Sequence, residues 1–112
     1  MASRKRVLVV GLGNMGMSHA LAYTRIEGFE VAGLCARHIH TRELPPSVAE
    51  APRFSSFDEA LAAARPDVVS INTWADTHAD FAIRAMEAGA HVFVEKPLAE
   101  TAADAEIGRA HV

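Results

Sequence analysis

The chain has 112 residues, a formal charge of −3 at neutral pH and one cysteine, Cys35. That length suits a single domain with one core, and a half-apolar composition is that of an ordinary soluble globular protein. With no basic cluster beyond Arg4-Lys5-Arg6 the balance excludes nucleic acid as the main partner, and a single cysteine excludes an internal disulfide and points to a reducing, cytoplasmic setting.

In chain order, residues 6–10 form a continuous β-branched and leucine run, the pattern of a strand buried on both faces of a parallel sheet. Four apolar residues before Gly11 are too few for a signal peptide, and Arg4-Lys5-Arg6 is expected to be a basic lead-in to the first strand. A first helix is expected from 15 to about 26, with Gly28 as its stop. Residues 30–34 read as the second strand. Pro45-Pro46 blocks a helix through 38–50, leaving at most a turn from Ser47. A brief third strand is expected at 53–55. Ser56-Phe57-Asp58-Glu59 is a capping box that opens a helix running to about Ala64. Residues 68–72 give a fourth strand, and Thr77 with Asp80 three positions on caps a helix that ends at Gly89. Residues 91–95 give a fifth strand, and Thr101 opens a last helical piece.

This alternation specifies an α/β, Rossmann-type doubly wound parallel sheet with right-handed crossovers and strand order 3-2-1-4-5. Ligands of such sheets bind beyond the carboxyl ends, at the switch between strands 1 and 4. Gly11, Ala36, Thr73 and Lys96 each follow a strand end and therefore share that rim.

Gly11-Leu12-Gly13-Asn14-Met15-Gly16 is a dinucleotide-binding loop in its expected context, after a strand and opening a helix. The first glycine permits the turn, the second lets the backbone approach a diphosphate, and the third packs helix on strand. Free amides and the positive end of the helix dipole then face the phosphates. NAD sites carry an acid at the end of strand 2 for the ribose hydroxyls. Here the residues are Cys35-Ala36-Arg37-His38, with no carboxylate. Arg37 offers a donor fork for a 2′-phosphate, so NADP is the expected cofactor, ahead of NAD. His38-x-His40 lacks companion ligands, and no metal is expected.

Beyond these readings, the residues resemble a known family. The glycine loop with His19-Ala20, then Arg65-Pro66-Asp67-Val68-Val69, Asn72-Thr73 with His78, and the run from Ala88-Gly89-Ala90-His91 through Glu95-Lys96-Pro97-Leu98-Ala99 are similar to the amino-terminal domain of the Gfo/Idh/MocA oxidoreductases. The resemblance implies hydride transfer between nicotinamide and a sugar- or cyclitol-like alcohol or carbonyl carbon. It implies that Lys96 is catalytic, donating to the reacting oxygen, while Glu95 and Pro97 set its loop. His78 matches a family position beside the cofactor, where capping or packing is expected ahead of catalysis. Trp74 departs from the family, which commonly has proline there: it is expected either to contact the cofactor by stacking near the nicotinamide, to wall the substrate pocket, or only to pack. His19 is expected to pack, and Cys35 to be a small buried residue.

The resemblance also implies that the sixth strand, a second domain with the general base, and the contacts of a homo-oligomer lie outside this stretch. By itself the chain is expected to bind cofactor without turnover, since a base must stand within about 2.6–3.2 Å of the hydroxyl proton. The expected domain spans 1–105. Residues Glu106-Ile107-Gly108-Arg109-Ala110-His111-Val112 match the in-frame translation of a sequencing-adapter start, GAGATCGGAAGAGCACACGTC, and are expected to be a non-native tail, which the coding DNA tests. The alternative function is a non-catalytic, nucleotide-sensing regulator of the same fold. Retention of Lys96 favours the enzyme.

Overall fold

The computed structural model describes residues 4–73 and 75–94, with the main chain alone for 14, 15 and 75–78. Five parallel strands, β1 (Lys5–Val10), β2 (Phe29–Cys35), β3 (Arg53–Phe54), β4 (Val68–Ile71) and β5 (His91–Val94), form one sheet in the order β3-β2-β1-β4-β5. Three helices connect them: α1 (Asn14–Tyr23), α2 (Phe57–Ala64) and α3 (Ala75–Glu87). The fold class and strand order are those expected from the strand–helix alternation.

Alternate residues of β1 feed two cores, as the period of a strand requires. Leu8 and Val10 join Val69, Ile71, Phe57, Ala60, Ala82 and Ala85 under α2 and α3. Val7 and Val9 join Leu34, Leu12, Ala20, Ile39 and Val48 under α1. The sheet is therefore covered on both faces, and β1 is apolar throughout its buried length because neither side meets water.

Arg6 ties the amino-terminal edge together. Its amide donates to the Asp67 carboxylate at 2.8 Å and its Nε to the Ala64 carbonyl at 2.9 Å, closing the end of α2. α2 and α3 are clamped by the stacked rings of Phe57 and Phe81, 4.4 Å apart, with Arg84 over both.

Several element boundaries differ from expectation. α1 stops at Tyr23, short of Gly28, because the Thr24 hydroxyl donates to the Leu21 carbonyl at 2.6 Å and closes the last turn. Gly28 instead shapes the turn into β2. α3 begins at Ala75, two residues before Thr77, so Thr77 lies in its first turn and is not the cap. Packing of Ala82 and Ala85 on the sheet sets that helix, and Ala75 and Asp76 are good first-turn residues. In the capping box the Ser56 hydroxyl accepts from the Glu59 amide at 3.3 Å, but the exposed Glu59 carboxylate does not return the bond. The Pro45-Pro46 segment forms turns after a single 3-10 turn, Ile39–Thr41, and Ile39 and Val48 fill the space of a crossover helix. Gly89 ends α3 as expected: it has φ +90°, and the amides of Gly89 and Ala90 donate to the carbonyls of Met86 and Ala85. The segment from Thr101 lies outside the described residues.

Cys35, at the end of β2, is 5% exposed, and burial pushes its thiol from 9.0 up to about 11. The folded protein thus keeps this proton to higher pH than the unfolded chain. Its contribution is whole below pH 9.0 and is lost as pH rises towards about 11. Unfolding free energy is expected to fall by about 2–3 kcal/mol across that window, beyond whatever other groups contribute. Denaturant titrations of the wild type and Cys35→Ala at both ends of the window check this. An equal pH slope in the two proteins removes the assignment to Cys35.

Candidate functional site: a glycine loop at the sheet switch point

The loop 11–16 lies at the carboxyl rim, where β1 has β2 on one side and β4 on the other. Its root is pinned to both neighbours: the Gly11 amide donates to the Cys35 carbonyl at 2.8 Å, and the Asn72 amide to the Val10 carbonyl at 2.7 Å. Gly11 has φ +86°, and a Cβ there would stand 2.7 Å from the Asn72 carbonyl oxygen. A Cβ on Gly16 would overlap the Gly11 carbonyl oxygen and crowd the Asn72 Cβ at 3.2 Å. Backbone atoms make both contacts, so no rotamer change relieves them.

Gly13 differs from the other two, because a Cβ there meets nothing within 4 Å. Its missing side chain leaves open space at the mouth of α1. Gly13 is the N-cap of that helix, no side chain caps it, and no acid stands in its first turn. The first-turn amides are therefore left for an outside acceptor, at the positive end of the helix. This cradle fits a dinucleotide diphosphate. Leu12, at 3% exposure, is packed into the α1-side core, so main chain is what it can offer a ligand. Of Asn14 and Met15 only the main chain is described; it forms the start of α1.

At the end of β2, Ala36 is half-buried and its amide donates to the Phe54 carbonyl at 3.1 Å. Arg37 is exposed and makes no hydrogen bond or ion pair with the described residues. His38 follows in a left-handed conformation, φ 56°. At the end of β4, Thr73 is half-buried beside the loop: its methyl would lie 3.0 Å from a Cβ on Gly11. The main chain of His78 lies in the first turn of α3. β5 ends at Val94, in register with Ile71. Trp74, Glu95, Lys96 and Pro97 lie outside the described residues.

One residue at this rim entered the sequence reading only through the family resemblance, with no role in the site. Asn72 touches both fold-critical glycines, and its Nδ2 donates to the Ser70 carbonyl at 3.3 Å and the Ser70 hydroxyl at 3.2 Å. Its Oδ1 is buried with no hydrogen-bond partner among the described residues. The available signal was Ser70-x-Asn72: two polar residues two apart, hence on one face of an otherwise apolar strand.

Elsewhere, His19 packs its ring against Phe93 at 5.3 Å. Two shallow hollows lie at the opposite rim, around Arg4, Thr24 and Phe29. Among the described residues there is no group of three or more His, Cys, Asp or Glu able to hold a metal, and no helix long and apolar enough to cross a membrane.

Comparison with known proteins agrees with this geometry. The model of an oxidoreductase family with an NAD-binding Rossmann fold, GFO_IDH_MocA, matches residues 5–109. Among solved structures, GenD2 from gentamicin A biosynthesis in complex with NAD superposes with TM-score 0.85 at 31% identity, over 99% of this chain and 32% of its own. UDP-N-acetylglucosamine 3-dehydrogenase GnnA from Acidithiobacillus ferrooxidans gives 0.79 at 32% identity, over 96% of this chain and 34% of its own. A curated relative, the alpha-N-acetylgalactosaminidase of Shewanella oneidensis, is 34% identical over 106 residues, covering 86% of this chain. The chain spans 23% of that relative's length.

Proposed function

The chain belongs to the Gfo/Idh/MocA oxidoreductase family, as an NAD-binding Rossmann domain, and from that premise we propose that it serves a dehydrogenase or reductase of sugar- or cyclitol-like molecules. The observation that carries this reading is the cradle of residues 11–16, open at Gly13 over uncapped helix amides. Bound nicotinamide supplies the hydride acceptor or donor. The chain's own part is to grip the diphosphate through the first-turn amides of α1 and to line the rim with Thr73, Trp74 and His78. Lys96 donates to the substrate oxygen and stabilises the negative charge that develops there, on a loop set by Glu95 and Pro97. Further polypeptide, as in the longer relatives, supplies the substrate pocket and the contacts of a homo-oligomer. The dehydrogenase neighbour acting on UDP-N-acetylglucosamine supports a sugar-like substrate.

NADP is the preferred coenzyme in this proposal, because Arg37 is exposed and unengaged among the described residues and no acid stands beside it in Cys35-Ala36-Arg37-His38. A charge-assisted bond of about 1.5–3 kcal/mol corresponds to a preference of about ten- to a hundredfold. Calorimetric titration with NADP and NAD tests both levels of the reading. Binding of neither sinks the dinucleotide site. Ala36→Asp is expected to shift the affinity ratio towards NAD by at least tenfold, on the same arithmetic; an unmoved ratio removes the discriminator role.

A second reading comes from the curated relative named as a glycosidase. Nicotinamide-dependent glycoside hydrolases exist, so this fold and cofactor do not by themselves exclude hydrolysis. The products separate the two. A dehydrogenase accumulates reduced coenzyme in step with oxidised sugar, whereas a hydrolase releases free sugar with no net change in coenzyme.

A further inference from the structure

We propose that Asn72 is a cofactor-binding residue whose side-chain carbonyl oxygen accepts a hydrogen bond from a hydroxyl of the nicotinamide-side ribose. The inference rests on the reading of residues 11–16 as a dinucleotide cradle and adds a residue that neither the glycine pattern nor Lys96 identifies.

The first argument is the unmatched acceptor. Asn72 Oδ1 is buried with no hydrogen-bond partner among the described residues, and an orphaned buried polar atom costs about 1–3 kcal/mol. Relaxation cannot remove the mismatch by turning the amide over. Nδ2 faces the main-chain oxygen of Ser70 at 3.3 Å, which accepts and never donates. Ser70 is fully buried and its hydroxyl accepts a second bond from the same nitrogen at 3.2 Å. The carboxamide is thus held with its oxygen turned away from Ser70.

The second argument is location. Asn72 follows the last residue of β4, its Cβ lies 3.2 Å from where a Gly16 Cβ would be, and its carbonyl lies against Gly11. It therefore stands on the α1 side of the sheet, beside the loop that holds the diphosphate. A dinucleotide leaves that loop in two directions. The adenosine half runs towards the end of β2, where the ribose discriminator sits. The other half runs over β4, and so past Asn72.

The third argument is chemical. Oδ1 needs a donor, and the diphosphate has none. The nicotinamide-side ribose carries hydroxyl donors, and it is the first donor-bearing group beyond the diphosphate in that direction.

Three ligands divide the dinucleotide at the relevant bonds: ADP ends at the diphosphate, ADP-ribose adds the second ribose, and NAD adds the base. Dissociation constants for all three are measured by calorimetry on the wild type and on Asn72→Leu, which keeps the bulk and removes the acceptor. Loss of one neutral hydrogen bond is expected to weaken ADP-ribose and NAD about five- to tenfold and to leave ADP within about twofold. Equal weakening of all three, as a distorted loop produces, overturns the proposal. So does weakening of NAD alone, which assigns the donor to the base, and so does no change. Ser70→Ala removes one of the two bonds that hold the carboxamide and leaves the loop untouched; it is expected to weaken ADP-ribose selectively, and equal effects on ADP and ADP-ribose overturn the proposal even where Asn72→Leu fails to fold. A wild type that binds none of the three ligands and no NADP sinks the cradle itself and this inference with it.

Discussion

Gly16→Ala is expected to abolish measurable coenzyme binding and to destabilise the coenzyme-free chain by about 3 kcal/mol. The added Cβ would overlap the Gly11 carbonyl oxygen, and Gly11 itself cannot give way easily. Its φ is +86°, its amide is bonded to Cys35, and its Cα sits against the Asn72 carbonyl. Relief has to come from moving α1 off β1, which opens the core around Ala20 and Leu12. Gly13→Ala supplies the contrast. Its Cβ meets no protein atom within 4 Å and its φ of −70° suits any residue, so folding is expected to change by less than about 1 kcal/mol, the scale of an N-cap substitution. On the proposed site the same methyl enters the open space left for the diphosphate, and coenzyme affinity is expected to fall about tenfold or more. Thermal melts and coenzyme titrations of both variants check the pair. A Gly16→Ala protein as stable as wild type would mean that α1 and β1 are not in the close contact described.

In the longer polypeptide that supplies the general base and substrate pocket, Lys96→Met is expected to lower kcat by about a hundred- to a thousandfold, the usual cost of removing one donor to a developing oxyanion. Met keeps the length of the stem and loses the charge. The proposed diphosphate grip lies elsewhere, in residues 11–16, so the coenzyme dissociation constant is expected to stay within about threefold. The split between turnover and binding is the informative readout. With a sugar-like alcohol that the wild type oxidises, an unchanged kcat sinks the proposed role of Lys96. A fall in coenzyme affinity matching the fall in kcat makes Lys96 a binding residue instead.

Much of the architecture was legible in the sequence because its causes are local. Four consecutive apolar residues before Gly11 mark a strand with no wet face, and the alternation of such runs with helical segments is enough to order the sheet. Gly11 and Gly16 were legible for the same reason: each answers a steric demand of the chain that the motif's own spacing states. Boundaries were less so. Thr24 ended α1 a turn before Gly28, and the packing of α3 carried its start past the capping pattern at Thr77, to Ala75. Capping preferences are worth about 1 kcal/mol, and the burial of two alanines with their helix on the sheet outweighs that.

By itself, then, the sequence determined the strand order, the cradle and the absence of an acid beside Arg37, since periodicity, chirality and missing side chains act over a few residues. Only the tertiary structure decided that Gly13 alone of the three faces open space, that Arg6 closes the edge between β1 and α2, and that Asn72 carries an unmatched acceptor. Each of these is a relation between groups distant along the chain. Residues 11–16 meet Asn72 because β1 and β4 are neighbours in the sheet, and the satisfaction of a buried polar atom is settled by whatever the fold brings within hydrogen-bonding reach.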